Sequence, residues 1–144
     1  MKEIIQIITN PSPPDFRYHL VLLSFRVLLS VEMIYAHGLK KIGIGVAEAE
    51  QVPNPLHLPE AMNSMLAVSA NIFFPMLVML GFFTRLSVLP ILAVTLMGYF
   101  VMHFHDAPLV KDAPFMYSLS YLVILFLGAG RYSVDYCLFK RSGG

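Results

Sequence analysis

Four stretches of this chain, at residues 18–37, 62–83, 86–103 and 114–130, are almost continuously apolar. A helix that crosses the hydrocarbon of a bilayer needs about 20 such residues, so each stretch predicts a spanning helix. The fourth is the shortest, but Pro114 suits a first helical turn, and Gly128 and Gly130 stand where a helix stops. Pro75 and Pro90 fall inside spans, where membrane helices tolerate them by kinking. Composition points the same way. Of 144 residues, 57% are hydrophobic and 13% charged, and mean hydropathy is +0.68. Soluble domains carry about 25% charged residues. A soluble domain this small exposes a large share of its surface and could not hide so much apolar area. The expected fold is an all-α integral membrane four-helix bundle.

The connecting segments differ in character. Residues 38–61 hold Gly43, Gly45, Pro53, Pro55 and Pro59 together with Glu48, Glu50 and Glu60. Gly and Pro at this density break a helix, so the segment predicts a cap loop over one end of the bundle. A shorter loop, 104–113, joins the third and fourth spans, while only Thr84 and Arg85 separate the second from the third. Ahead of the first span, Ile4, Ile5, Ile7 and Ile8 predict a short interfacial helix within residues 1–17, ended by Pro11, Pro13 and Pro14. Glu3 and the brevity of that apolar run argue against a secretory signal. Residues 18–130 are then the transmembrane domain and 131–144 a tail.

Lys2, Arg17, Arg85, Arg131, Lys140 and Arg141 share one side of the bundle, against Lys40, Lys41 and Lys111 on the other. By the positive-inside rule both termini are expected in the cytoplasm, with the chain in the cytoplasmic (inner) membrane. A net charge of +1 gives no field that would select nucleic acid. Cys137 is the lone cysteine, so there is neither an intrachain disulfide nor a CxxC dithiol. The sequence also lacks a phosphate-binding glycine loop, a GxSxG elbow and an HExxH helix. The expected partners are the lipid bilayer and other protein subunits.

Charge inside a span demands a reason. Arg26 lies near the middle of the first span, where insertion costs about 2.5–3.5 kcal/mol even on a lenient scale. At about 100° per residue, His19, Arg26, Ser30 and His37 fall within an arc of about 40° that should face the bundle interior. Glu32 lies roughly 120° round the helix from Arg26. Asn71 and Thr95 are level with Arg26, and Tyr121 nearly so, with Tyr99 and Tyr117 about a turn further out. Thr95, Tyr99 and His103 recur every four residues and share a face, as do Tyr117 and Tyr121.

Arg26, Ser30, Glu32, His37, Asn71, Thr95, Tyr99, His103, Tyr117 and Tyr121 are therefore the candidate lining of a polar intramembrane pocket. Arg26 would be its floor and residues 38–61 its roof. Two readings of Arg26 stand side by side. It is either packing glue bonded to Glu32, Asn71 and backbone carbonyls, or the binding group for an anion, a quinone carbonyl or water. Interhelical hydrogen bonds in membranes average only about 0.6 kcal/mol, so glue alone offsets burial poorly.

His37, His57, His103 and His105 gather on the expected outer side. They either bond headgroups and loop carbonyls, relay protons to a quinone, or ligate haem or a metal. Two residues apart on a helix, His103 and His105 point to nearly opposite faces, so no metal ligands are assigned. Arg131 and Asp135 are spaced as an i, i+4 pair anchoring an interfacial helix end. Lys40 and Lys41 read as snorkelling interfacial cations.

Three motifs carry a resemblance: Gly81-Phe82-Phe83-Thr84-Arg85-Leu86, Gly128-Ala129-Gly130-Arg131-Tyr132-Ser133-Val134-Asp135, and Arg26 followed by His37-Gly38-Leu39-Lys40-Lys41. Together they resemble the DoxX family, in order and spacing, from Arg26 to Asp135. The resemblance implies a four-helical membrane protein. Through the archaeal quinone-reducing thiosulfate oxidoreductases that named the family, it also implies a redox setting, in which quinone ranks ahead of haem or metal as cofactor. Relatives often carry Glu ten residues before the glycine that opens the turn, where this chain has Asn71. If that Glu carries protons in relatives, this chain does so differently or not at all. The expected function is a DoxX-like membrane subunit of a quinone-linked redox complex, with Arg26, His37, Tyr99 and His103 near one cavity. The alternative is a non-catalytic anchor or assembly subunit that meets partners through its apolar faces or its cap. Solute passage fits less well, since four helices leave little lumen and no inverted repeat is visible.

Overall fold

The computed structural model describes residues 15–139, whose regular structure is entirely helical. Four helices are long and apolar enough to cross a membrane: α1 (Asp15–Ile42), α2 (Glu60–Leu80), α3 (Thr84–Met102) and α4 (Pro108–Leu127). A short α5 (Val134–Phe139) follows. The protein is a multi-pass membrane protein. Most of the interfacial segment expected over residues 1–17, including Ile4 to Ile8, lies outside the described residues; residues 15–17 already belong to α1.

On α1 the buried positions are Leu22, Arg26, Ser30 and Met33, one helical stripe, and Gly38 beyond it, while Val21, Leu28 and Tyr35 on other faces are exposed and suit lipid. Met33 joins Val78, Val88, Ile91, Tyr121 and Ile124 in a core to which all four spans contribute. α2 packs between α1 and α3, and α3 against α4; contacts from α1 to α4, His37 on Tyr117 among them, close the ring.

Three spans contain a π turn, at Ile34–Gly38, Ser69–Phe73 and Gly98–Met102. The second has a visible cause. Pro75 has no N–H to return to the Asn71 carbonyl four residues back, so the α-helical ladder breaks there. α1 fills the gap with its backbone: a Cβ on Gly38 would lie 2.7 Å from Asn71 O. Only glycine admits so close an approach of two spans.

Element ends depart from the sequence expectation, most of all in three places. α1 runs on through Leu39–Ile42 instead of stopping at His37. The α2–α3 turn is Gly81-Phe82-Phe83, with Thr84 and Arg85 already in α3. α4 begins at Pro108, leaving Pro114 inside the helix. Hydropathy assigns Lys111 and Asp112 to a loop; Pro108, preset for a first turn, starts the helix early enough to carry both at the membrane edge.

The cap is non-helical from residue 43 to 59. Glu50 fastens it, bonding Lys40 and Lys41 at 3.1 Å each while its N–H donates to Lys40 O at 2.9 Å. Burial pushes the Glu50 carboxyl up, but Lys41 and Lys40 outweigh it and hold the group below the usual carboxylate range.

Candidate functional site

At the end of the bundle opposite the cap, the Gly81–Leu86 and Gly128–Asp135 motifs and Arg26 fold into one clasp. α4 stops at Leu127, and Gly128 and Gly130, with φ of 77° and 75°, turn the chain back across that end. The turn leaves carbonyls pointing at α1. Arg26, fully buried, meets them: Nη1 donates to Ala129 O and Nη2 to Tyr132 O at 2.8 Å. Gly81 closes over the guanidinium. A Cβ there would lie 2.5 Å from Ser133 Cβ and 2.8 Å from Arg26 Nη1, and its φ of 72° is one that side chains disfavour.

Asp135 locks the other side. Its carboxylate accepts from Phe83 N at 2.7 Å, Thr84 N at 3.0 Å and Thr84 Oγ1 at 2.9 Å, capping α3 from 51 residues away. Its own N–H donates to Gly81 O at 2.8 Å. Ser133 caps α5 by accepting from Tyr136 N at 3.1 Å. The i, i+4 pairing expected of Arg131 and Asp135 does not form, because Asp135 has stronger partners in orphan helix N–H groups. Arg131 instead reaches Asp15 at 3.4 Å, while its N–H donates to His19 Nδ1 at 3.3 Å.

From the clasp a line of polar groups climbs the α1–α4 interface toward the cap. Ser30, one turn above Arg26, and Tyr121 are both fully buried, and their hydroxyls adjoin each other with no other hydrogen-bond partner. Arg26 Nε is likewise buried without a partner. Tyr117, one turn above Tyr121 on α4, meets the His37 ring edge to face at 5.1 Å. His37 in turn lies in the field of Lys40, Lys41, Glu50 and Glu32 at the capped end. Five sequence candidates thus form a seam: Arg26, Ser30, Tyr121, Tyr117 and His37.

A model of the DoxX family matches residues 21–104, more than half of the chain. The chain belongs to the DoxX family. No curated protein and no solved structure matches it. The match spans Arg26, the His37–Lys41 stretch and the Gly81–Arg85 turn, so two of the three DoxX-like motifs lie inside it.

The other candidate residues of this DoxX chain go elsewhere. Asn71 turns back on its own helix, Nδ2 donating to Ala67 O at 2.7 Å. Thr95 pairs with Ser118 across α3–α4 at 2.9 Å, a partner that sequence reasoning missed. Tyr99 packs on Phe115 with centroids 5.5 Å apart, lining a groove on the lipid side of α3–α4. His103 Nδ1 lies 2.7 Å from Asp106 Oδ2 in the α3–α4 loop, and Glu32 is exposed. Arg26, His37, Tyr99 and His103 therefore do not surround one chamber, and Arg26 is bonded to backbone carbonyls instead of flooring an outer pocket. Among the described residues, no three of His, Cys, Asp and Glu gather as metal ligands. Gly81 and Asp135 are clasp residues that sequence reasoning also missed. Their membership in the DoxX-like motifs was the available signal.

Proposed function

We propose that the protein is a membrane subunit of a quinone-linked redox complex, and that its own contribution is the hydroxyl and imidazole seam between α1 and α4. The observation that carries this reading is Tyr121, a phenol wholly enclosed in the bundle whose hydroxyl has no hydrogen-bonding neighbour other than that of Ser30. Unpaired polar atoms are costly in hydrocarbon, and polar side chains kept inside spans mark proton or ion routes. Ser30, Tyr121, Tyr117 and His37 can each accept and return a proton. They lead to the ionisable groups of the cap. At the other end stands a guanidinium that stays charged, which repels protons and makes the route one-ended. A bound quinone would supply the two-electron chemistry; the seam would carry the protons that accompany it to or from the capped side.

The clasp supports a second reading, the non-catalytic anchor, because its motif residues spend their hydrogen bonds on one another. Purification from native membranes in mild detergent, followed by quinone extraction and partner identification, separates the two. The redox reading expects partners and quinone together, and a Tyr121→Phe complex that melts normally but turns over more slowly by about a hundredfold or more. Partners without quinone, and turnover indifferent to Tyr121→Phe and His37→Gln, would establish the anchor instead.

A further inference from the structure

The lipid-facing side of the α3–α4 crossing carries a groove that the seam does not use. Leu92, Leu96, Tyr99, Phe115, Leu119 and Leu122 contribute to it; its volume is about 210 Å³, it opens sideways, and its walls are almost entirely carbon. Sharing Tyr99 and Phe115 with it as walls is a second hollow of about 230 Å³, lined also by Pro108, Lys111 and Asp112. Apolar along its length and charged at its mouth, the pair has the polarity of a membrane amphiphile.

The groove runs along α3 from Leu92 to Phe100 and along α4 from Phe115 to Leu122, and its carbon walls suit a stretch of an extended acyl chain. Leu122 lies about 16 Å along α4 from Lys111, which places the groove in hydrocarbon and the mouth at headgroup depth. The mouth offers one cation and one anion on consecutive residues. Lys111 Nζ donates one N–H to Phe104 O at 3.0 Å, leaving two for another acceptor. Asp112 is exposed beside it and needs a donor. A headgroup that carries both a phosphate and a protonated amine satisfies both.

We propose that this groove holds one acyl chain of a phosphatidylethanolamine, with the phosphate on Lys111 and the ammonium on Asp112. A quaternary choline has no N–H to give Asp112, and a glycerol headgroup brings no positive charge. The assignment stands independently of the seam and of any redox role.

The test is native mass spectrometry of the delipidated full chain, titrated with phosphatidylethanolamine, phosphatidylcholine and phosphatidylglycerol of identical acyl chains. One phosphatidylethanolamine should bind about fivefold more tightly than either competitor, the scale of one exposed ion pair. Asp112→Asn should abolish that preference, Lys111→Gln should weaken all three lipids, and Leu122→Trp should displace all three by filling the groove. Equal binding of the three lipids, a preference that survives Asp112→Asn, tighter phosphatidylglycerol, or a quinone released by Leu122→Trp would each overturn the assignment. Asp112 is exposed, so Asp112→Asn keeps the test valid even if Leu122→Trp fails to fold.

Discussion

The two ends of the bundle solve the same problem, tying off four spans, with different materials. At the clasp, Arg26, Gly81, Asp135 and the turn after α4 come from positions up to 109 residues apart in sequence, and the groups that meet there are largely buried. At the cap, Lys40, Lys41 and Glu50 are near neighbours in the chain, and residues 42–51 are exposed. Burial is what separates the two. A guanidinium held in a dry contact loses its hydration if a partner is removed, whereas exposed ions recover water at once. The clasp should therefore govern stability, and the cap should be free to vary and move.

That contrast predicts a ranking, measured as thermal unfolding in detergent by circular dichroism. Arg26→Leu strands the Ala129 and Tyr132 carbonyls and should cost about 2–6 kcal/mol, ~1–3 for each carbonyl left unsatisfied. Arg26→Lys should not rescue it, because one ammonium cannot reproduce a planar fork. A folded, unshifted Arg26→Leu would show that the clasp is ornamental. Gly81→Ala, forced to a φ of 72° and against the guanidinium, should cost about 2–3 kcal/mol. Asp135→Ala removes a helix cap and should cost about 1–2 kcal/mol; hydrogen exchange should rise first at Phe83 and Thr84.

The smallest effect belongs to the cap. Glu50→Gln should cost less than about 1 kcal/mol. Because the folded Glu50 carboxyl is held below its ordinary value, its contribution is present above the unfolded pKa of about 4.3 and is lost as pH falls through the folded one. Limited proteolysis of the cap should accelerate below about pH 4 in the wild type, and Glu50→Gln should be equally labile at neutral pH. A Glu50 variant as damaging as Arg26→Leu would erase the distinction between the ends.

Much of the architecture is legible from residue pattern. Unbroken apolar runs locate the four spans, and helical periodicity puts Arg26 and Ser30 on one buried face and Glu32 off it. Partners that are backbone cannot be read this way. The carbonyls of Ala129 and Tyr132 carry no side-chain signature, so depth alone matches Arg26 with polar side chains at its own level. Asp135 escapes for a related reason: spacing suggests Arg131 as its mate, while the N–H groups of a helix 51 residues away compete more strongly. The π turns are invisible too. Each adds a residue to a turn and rotates the remainder of its span, which a uniform wheel of 100° per residue cannot anticipate.

The reach of the clasp bears on how the protein is made. Arg26 emerges from the ribosome 103 residues ahead of Ala129 and 106 ahead of Tyr132. At about 5–20 residues per second, the first span waits roughly 5–20 s for the carbonyls that will neutralise its cost. During that interval its guanidinium must stay in the translocon or climb toward headgroups, so the nascent chain is most vulnerable to quality control just before its last turn is complete.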